Sequence, residues 1–197
     1  MEATPTYSAA LSDAEQIVLW LENDPVRYEA LQLASSLNLP DWCLAAGFVR
    51  NLAWDNAHGY VTATPLNDID LIYFNPVKAS KDIDLSVEAG LKRRSNLPWS
   101  VKNQARMHVR NEDRPYVSTS DAMSYWVEIE TAVGARLCKA GCIELVAPFG
   151  VRSLFNKSIT MNSKRPKPSD FARRMSEKNW LSQWPQLQVV EASQCLQ

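Results

Sequence analysis

This sequence predicts an α+β fold, and three observations predict it. Helix-start signals recur along the chain, at Ser12-Asp13-Ala14-Glu15, Asp24-Pro25 and Ser118-Thr119-Ser120-Asp121. Short apolar runs of strand length lie between them, at residues 42–46 and 71–74. The segments 131–137 and 142–147 flank a Lys139-Ala140-Gly141 turn in the manner of a hairpin. At 197 residues, 46% hydrophobic and 22% charged, the chain has the length and composition of one ordinary globular core. The expected organisation is a single domain over 1–197, with an N-terminal helical pair in 1–38 and a basic, helical C-terminal extension in 156–197.

In order, residues 1–10 are small and polar and read as a loose tail. Ser12-Asp13-Ala14-Glu15 is a capping box, so a helix is expected through Ile17, Val18, Trp20 and Leu21. Asp24 is a good N-cap and Pro25 is pre-set for the first helical position. That second helix carries Tyr28, Leu31, Ala34 and Leu37 inward until Asn38-Leu39-Pro40 stops it. The pair is expected to pack as a lid or support on the segment beyond Pro40. Residues 42–46 are too short for a helix and Gly47 comes at once after them, which predicts strand, tight turn and a helix over about 48–56. Such a turn presents free amides to an anion, and glycine lets a phosphate approach the backbone. Arg50 and Asn51, in the first turn, add side-chain donors. A lone glycine before a helix is more often a packing turn, so its weight comes from downstream.

Downstream stands Asn67-Asp68-Ile69-Asp70-Leu71-Ile72-Tyr73-Phe74. In a strand, Asp68 and Asp70 project from the same face, while residues 71–74 are apolar on both faces, as in a buried strand. Two carboxylates on one patch of a buried sheet cost free energy unless a cation sits there, and Mg²⁺ is commonly held by one or two carboxylates with substrate phosphates. Two solvated aspartates opening a strand are the plain alternative. Asn75-Pro76 ends the strand, and 82–94 reads as a helix whose basic end, Lys92-Arg93-Arg94, is a solvated terminus favoured by the helix dipole. Next, Lys102, Asn103, Gln104, Arg106 and His108 form the densest cluster of hydrogen-bonding groups in the chain, which favours a site over a surface strand. After the hairpin a short helix carries Leu154 and Phe155, and Ser169 is expected to cap one final helix bearing Phe171, Met175 and Leu181 toward Trp184. These aromatics read as core rather than as a base-stacking platform. The span 164–178 is basic, with six cations against Asp170 and Glu177.

A net charge of -1 gives no global case for nucleic acid or an acidic membrane as partner. No apolar run approaches the roughly 20 residues that span a bilayer, and the first residues lack the layout of a signal peptide, so the cytoplasm is the expected compartment. The four cysteines, Cys43, Cys138, Cys142 and Cys195, have no disulfide-framework spacing. Cys138 and Cys142 are read as free thiols on the hairpin turn, since no second ligand pair with metal spacing accompanies them.

With these residues assembled, the chain resembles the nucleotidyltransferase superfamily with DNA polymerase beta-like folds, in which a strand-Gly-helix turn precedes a strand bearing Asp-x-Asp. The blocks that carry the resemblance are Ala46-Gly47-Phe48-Val49-Arg50-Asn51, Trp54-Asp55, Leu66-Asn67-Asp68-Ile69-Asp70, Val101-Lys102-Asn103-Gln104-Ala105-Arg106-Met107-His108, Thr131-Ala132-Val133-Gly134 and Ala147-Pro148-Phe149-Gly150. They look like the signature blocks of a bacterial branch of the superfamily, and the match runs from about Leu39 to Trp184. The resemblance implies a mixed β-sheet with flanking helices and Mg²⁺-dependent transfer of a nucleoside monophosphate from an NTP to a hydroxyl of an unidentified small-molecule or protein acceptor. It implies that Asp68 and Asp70 are catalytic and hold two Mg²⁺ ions. It also implies that Gly47, Arg50, Asn51, Lys102, Asn103, Arg106 and His108 bind the nucleotide and its phosphates.

Two positions depart from the family pattern. Phe48 stands where a second small residue is usual after the glycine, which would leave the phosphate approach less open. Ser100 aligns with a third carboxylate on a later strand, leaving Asp55, Glu128, Glu130 or Glu144 to complete a metal site, or the two aspartates alone. A catalytically weak nucleotide-binding protein on the same fold is the alternative these departures raise.

Overall fold

The structure is a computed structural model and describes residues 10–190. The expected tail lies almost wholly outside the described residues, as does Cys195. A five-stranded mixed sheet runs in the order β3-β2-β1-β4-β5, with β1 (Cys43–Ala45) at its centre. β1 pairs antiparallel with β2 (Ile69–Tyr73) on one side and β4 (Gly134–Leu137) on the other. β3 (Trp99–Asn103) lies parallel to β2, joined through α4 (Lys81–Arg94), and β5 (Ile143–Val146) completes the hairpin with β4. A parallel neighbour needs such a crossover, whereas β4 and β5 need only a turn.

Local chemistry sets the helices. In α1 (Asp13–Glu22) the Ser12–Glu15 capping box forms in both directions, and Asp24 caps α2 (Pro25–Ser35) by accepting from the Arg27 amide. α1 packs against β5 and α3 (Gly47–Ala57) and α2 against β4, burying Ile17, Leu21, Leu31 and Ala34. The pair supports the sheet and does not cover the aspartates. Gly134 is demanded by close approach, since a Cβ there would stand 2.7 Å from Cys43 Sγ. Phe48 points into the core and is fully buried, so it does not narrow the turn as its size suggested.

A 3₁₀ turn (Gln104–Arg106) and two short helices, α5 (Met107–Asn111) and α6 (Thr119–Met123), connect the sheet to its C-terminal half. Beyond the hairpin lie α7 (Arg152–Phe155), β6 (Ser158–Thr160), α8 (Pro168–Glu177), α9 (Trp180–Gln183) and β7 (Gln188–Val190). The parallel β6–β7 pair carries no turn signal and was not anticipated. The single final helix expected here is two, broken where Asn179 adopts a left-handed conformation, and α8 starts at Pro168 with no side-chain cap from Ser169. Trp180 and Trp184 pack edge-on against Trp54 of α3, with ring centroids 5.7 and 5.1 Å away, as the core reading of these aromatics required. Cys138 and Cys142 are joined as a disulfide across the hairpin turn rather than left as thiols, because the turn brings their Cα atoms to 5.4 Å, a span a disulfide accommodates. No helix among the described residues is long and apolar enough to cross a membrane.

Candidate functional site

The register places the acidic pair. Asp70 lies opposite Ala45 on one side and Ser100 on the other, at the sheet end where β1 runs into the turn before α3. There a cleft of about 890 Å³ opens, lined by Ala46, Gly47, Arg50, Asn51, Asp68, Asp70 and Lys102 among others. Ala46, which joins strand to helix, has φ 57° and ψ −122°, a backbone region that costs an L-residue of order 1–3 kcal/mol. The strained turn sets the start of α3 at the cleft mouth, where its first amides have no intrahelical partners. A Cβ at Gly47 would meet only the Asn51 and Arg50 side chains, at 3.4–3.5 Å, so the glycine keeps the surface of this turn low rather than relieving a clash.

Burial, and then the charge of Asp68, raise the carboxyl of Asp70; Lys102 and Ser100 oppose them. The Lys102 ammonium lies 3.6 Å from Asp70 Oδ1 and donates to Ser100 Oγ at 2.6 Å. Arg50 is buried between two indoles, with its guanidinium carbon 5.0 Å from the Trp54 ring centroid and 4.5 Å from that of Trp180. It donates to Thr131 Oγ1 at 2.8 Å and to Asn51 Oδ1 at 3.0 Å, and its Nε has no hydrogen-bond partner among the described residues. Burial lowers its pKa to about 10, while the charges of Glu128, Asp68 and Asp70 hold it up. Arg50 therefore links the turn, the acidic pair and the far wall.

Three residues of the polar cluster lie outside this cleft. Asn103 is fully buried, receives the Asn75 amide and donates to the carbonyls of Asn75 and Lys78, tying down the loop after β2. Arg106 pairs with Asp84, itself buried and bonded by Tyr73 Oη at 2.7 Å and the Asn103 amide at 3.0 Å. His108 sits edge-on to Tyr116. The physical reason is alternation: Lys102 and Ser100 share the strand face of Asp70, whereas Asn103 faces α4, and the chain then turns into the 3₁₀ segment. Gln104, noted in the sequence without a role, does line the cleft.

The candidates for a third carboxylate also separate. Asp55 is buried beneath the helix, accepting from the Thr64 amide and hydroxyl and from Trp184 Nε1 at 2.7–2.8 Å. Glu130 binds Ser158 and Thr160, and Glu144 pairs with Arg136 on the hairpin. Glu128 alone reaches the cleft, and there Arg174 holds it through both carboxylate oxygens. Among the described residues, no group of three His, Cys, Asp or Glu ligand atoms within mutual reach includes Asp68 or Asp70. Asp68 and Asp70 stand as a pair.

The far wall was not visible as part of a site in the sequence. Residues 165–170, α8 and α9 bring Arg165, Lys167, Arg173, Arg174 and Lys178 into the same cleft. Its lining holds eight cationic and five acidic side chains, and Asp113 and Glu177 outside that lining pair with Arg165, Lys167 and Arg173, which leaves a local surplus of one cation on a chain whose net charge is -1. The charge argument against polyanionic partners, drawn from the whole chain, does not hold for this surface. The signal was present as the basic run 164–178, but nothing in the sequence indicated that it faces Asp68 and Asp70.

Residues 32–189 match the family model described as nucleotidyltransferase. An NMR structure described as revealing a CCA-adding enzyme head domain is 30% identical, superposes with a TM-score of 0.79, and is matched over 92% of this chain and 98% of its own. A CCA-adding enzyme in complex with CTP superposes at 0.59 with 16% identity, and an apo tRNA-processing enzyme at 0.53 with 15% identity. This chain spans 44% and 45% of the lengths of those two, and the likeness to them is one of fold. No curated protein sequence matches the chain. A mixed sheet that delivers an acidic pair and a helix N-terminus to one cleft, matched to that model over most of its length, identifies the chain as a member of the nucleotidyltransferase family.

Proposed function

We propose that this protein transfers a nucleoside monophosphate from an NTP to an acceptor hydroxyl with the help of Mg²⁺ held by Asp68 and Asp70. The observation that carries the reading is the meeting, in one cleft, of the carboxylate pair, the start of α3 and a cationic wall. The donor set suits a hard divalent ion: two carboxylates line one cleft, Asp68 just before β2 and Asp70 within it, and burial of Asp70 with the charge of Asp68 beside it makes an added cation favourable there. Bound there, Mg²⁺ would neutralise charge on the reacting phosphates and orient the acceptor. The protein's own part is positioning. Gly47 and the first amides of α3 receive phosphate oxygens, Asn51 adds a donor, and Arg50, clamped by Trp54 and Trp180, fixes the turn from behind. Asn103 and Arg106 act at one remove by fixing the end of β3.

The test is incubation with α-labelled NTPs, Mg²⁺ and separated extract fractions of small molecules, protein and RNA. Label in any fraction, lost in Asp68→Asn/Asp70→Asn, supports transfer; no label with any NTP or divalent metal sinks it. An RNA acceptor is favoured by two observations, the cationic wall and the likeness in fold to tRNA-processing enzymes, and it predicts affinity that falls steeply with salt. The binding-only reading draws on the lone aspartate pair and predicts NTP affinity insensitive to Mg²⁺.

A further inference from the structure

The tip of the β4–β5 hairpin carries chemistry that the cleft does not use. Arg136 pairs across the hairpin with Glu144, and the ladder continues into the turn, where the Cys138 amide donates to the Cys142 carbonyl at 2.8 Å. Because strand side chains alternate, Cys138, Cys142, Arg136 and Glu144 share one face, while Leu137 and Ile143 turn to the core. The two sulfurs and a carboxylate oxygen of Glu144 lie within 4.8 Å of one another. None of the three residues lines the cleft. The sequence offered the two cysteines no second pair of cysteine or histidine ligands, but strand pairing brings them a carboxylate.

Two hydrogen bonds prepare this corner for an ion. The Cys142 amide donates to Cys138 Sγ at 3.2 Å, which favours the charged thiolate. Arg136 Nε donates to Glu144 Oε2 at 3.0 Å, which orients the carboxylate and leaves its other oxygen for coordination. As a disulfide the pair holds no ion. A dithiol reductant gives its two hydrogens to Cys138 and Cys142 and closes to its own disulfide; both protons then leave as an ion binds the two thiolates. A tetrahedral Zn²⁺ with sulfur at about 2.3 Å and oxygen at about 2.0–2.2 Å sets its ligand atoms roughly 3.5–3.8 Å apart. Cα atoms 5.4 Å apart allow the two sulfurs that spacing by side-chain rotation. Thiolates select a borderline-soft ion over Mg²⁺, so this corner and the Asp68–Asp70 pair take different ions. We propose that the reduced hairpin tip is a site for one Zn²⁺-like divalent ion, bound by Cys138, Cys142 and Glu144 with the fourth position open, and that disulfide and ion are alternative states of the same pair.

Co²⁺ is the probe, because thiolate ligation gives it a near-ultraviolet charge-transfer band that carboxylate ligation does not. The full chain is reduced with a dithiol, freed of it anaerobically and titrated with Co²⁺ and then Zn²⁺. The expected band saturates at one Co²⁺ per chain, is bleached by Zn²⁺, and is absent from the oxidised protein. It should persist in Asp68→Asn/Asp70→Asn and in Cys195→Ser, and disappear in Cys138→Ser and in Cys142→Ser. Glu144→Gln should weaken Co²⁺ binding by about tenfold or more, since removing even a ligand's supporting partner costs that much. No band in the reduced wild type, a band that survives Cys138→Ser or Cys142→Ser, loss of the band in Cys195→Ser, or affinity unchanged in Glu144→Gln overturns the proposal.

Discussion

Arg174→Ala should destabilise the protein more than its position near the surface suggests. The Glu128 side chain is 1% exposed and held by Arg174, whose own side chain is 23% exposed. Removing the arginine leaves a buried carboxylate without its cation, a loss of about 3–5 kcal/mol for a fully buried pair. Water reaches this pair from the cleft, so the low end, about 3 kcal/mol, applies. Loss of the Arg174 contact over the Trp180 ring, 5.4 Å to the centroid, adds roughly 0.5–1 kcal/mol. For a chain of this length the total corresponds to a fall in melting temperature of roughly 7–16 °C. Thermal and urea melts followed by circular dichroism measure it. Glu128→Gln/Arg174→Ala should recover a large part of the loss, because the uncompensated charge is gone. A single-variant loss below about 1 kcal/mol, or a double variant no better than the single, would refute the argument that α8 is pinned to the cleft by a desolvated charge pair.

Gly47→Ala should barely change stability, within about 1 kcal/mol, since its Cβ meets side chains only at ordinary contact distance, but it should weaken NTP binding measured by calorimetry. Equal losses in both would mean that the glycine serves packing alone. The cationic segment before α8 should also let go in acid. Burial alone would raise the Asp113 carboxyl, but the Tyr116 hydroxyl and the Arg165 guanidinium outweigh it and hold it below its ordinary value of 3.8. A depressed carboxyl contributes stability that is complete above 3.8 and is lost as pH falls through its folded value, so the Arg165 and Lys167 anchors should release below pH 3.8. Loss of the hydrogen-exchange protection of Arg165 Nε–H, followed by NMR, that begins only in that range, and at higher pH in Asp113→Asn, is the expected result.

Much of the near side of the cleft was legible in the sequence because it depends on local rules. A spacing of two at the start of β2 brings Asp68, just before the strand, and Asp70, within it, to one cleft, and a glycine after a short apolar run marks the turn before α3. The capping signals at Ser12, Asp24 and Ser118 all form. Where chain direction changes, that logic fails. The cluster from Lys102 to His108 looked like one site, but alternation and the 3₁₀ turn send Lys102 to the cleft, Asn103 and Arg106 into the α4 contact, and His108 against Tyr116. Phe48 looked obstructive because its bulk could be read and its direction could not.

By itself, then, the sequence determined the acidic pair, the turn that precedes it and the mixing of helices with strands, all of which arise from spacings of a few residues. The tertiary structure alone decided which polar groups meet that pair. Packing of Trp180 and Trp184 on Trp54, more than a hundred positions apart in the chain, carries the basic segment to the opposite wall. Register between β2 and β3 sets Ser100 and Lys102 beside Asp70 in place of a third carboxylate. Contacts of that separation have no periodic trace in a sequence, because they are selected by how whole faces fit together.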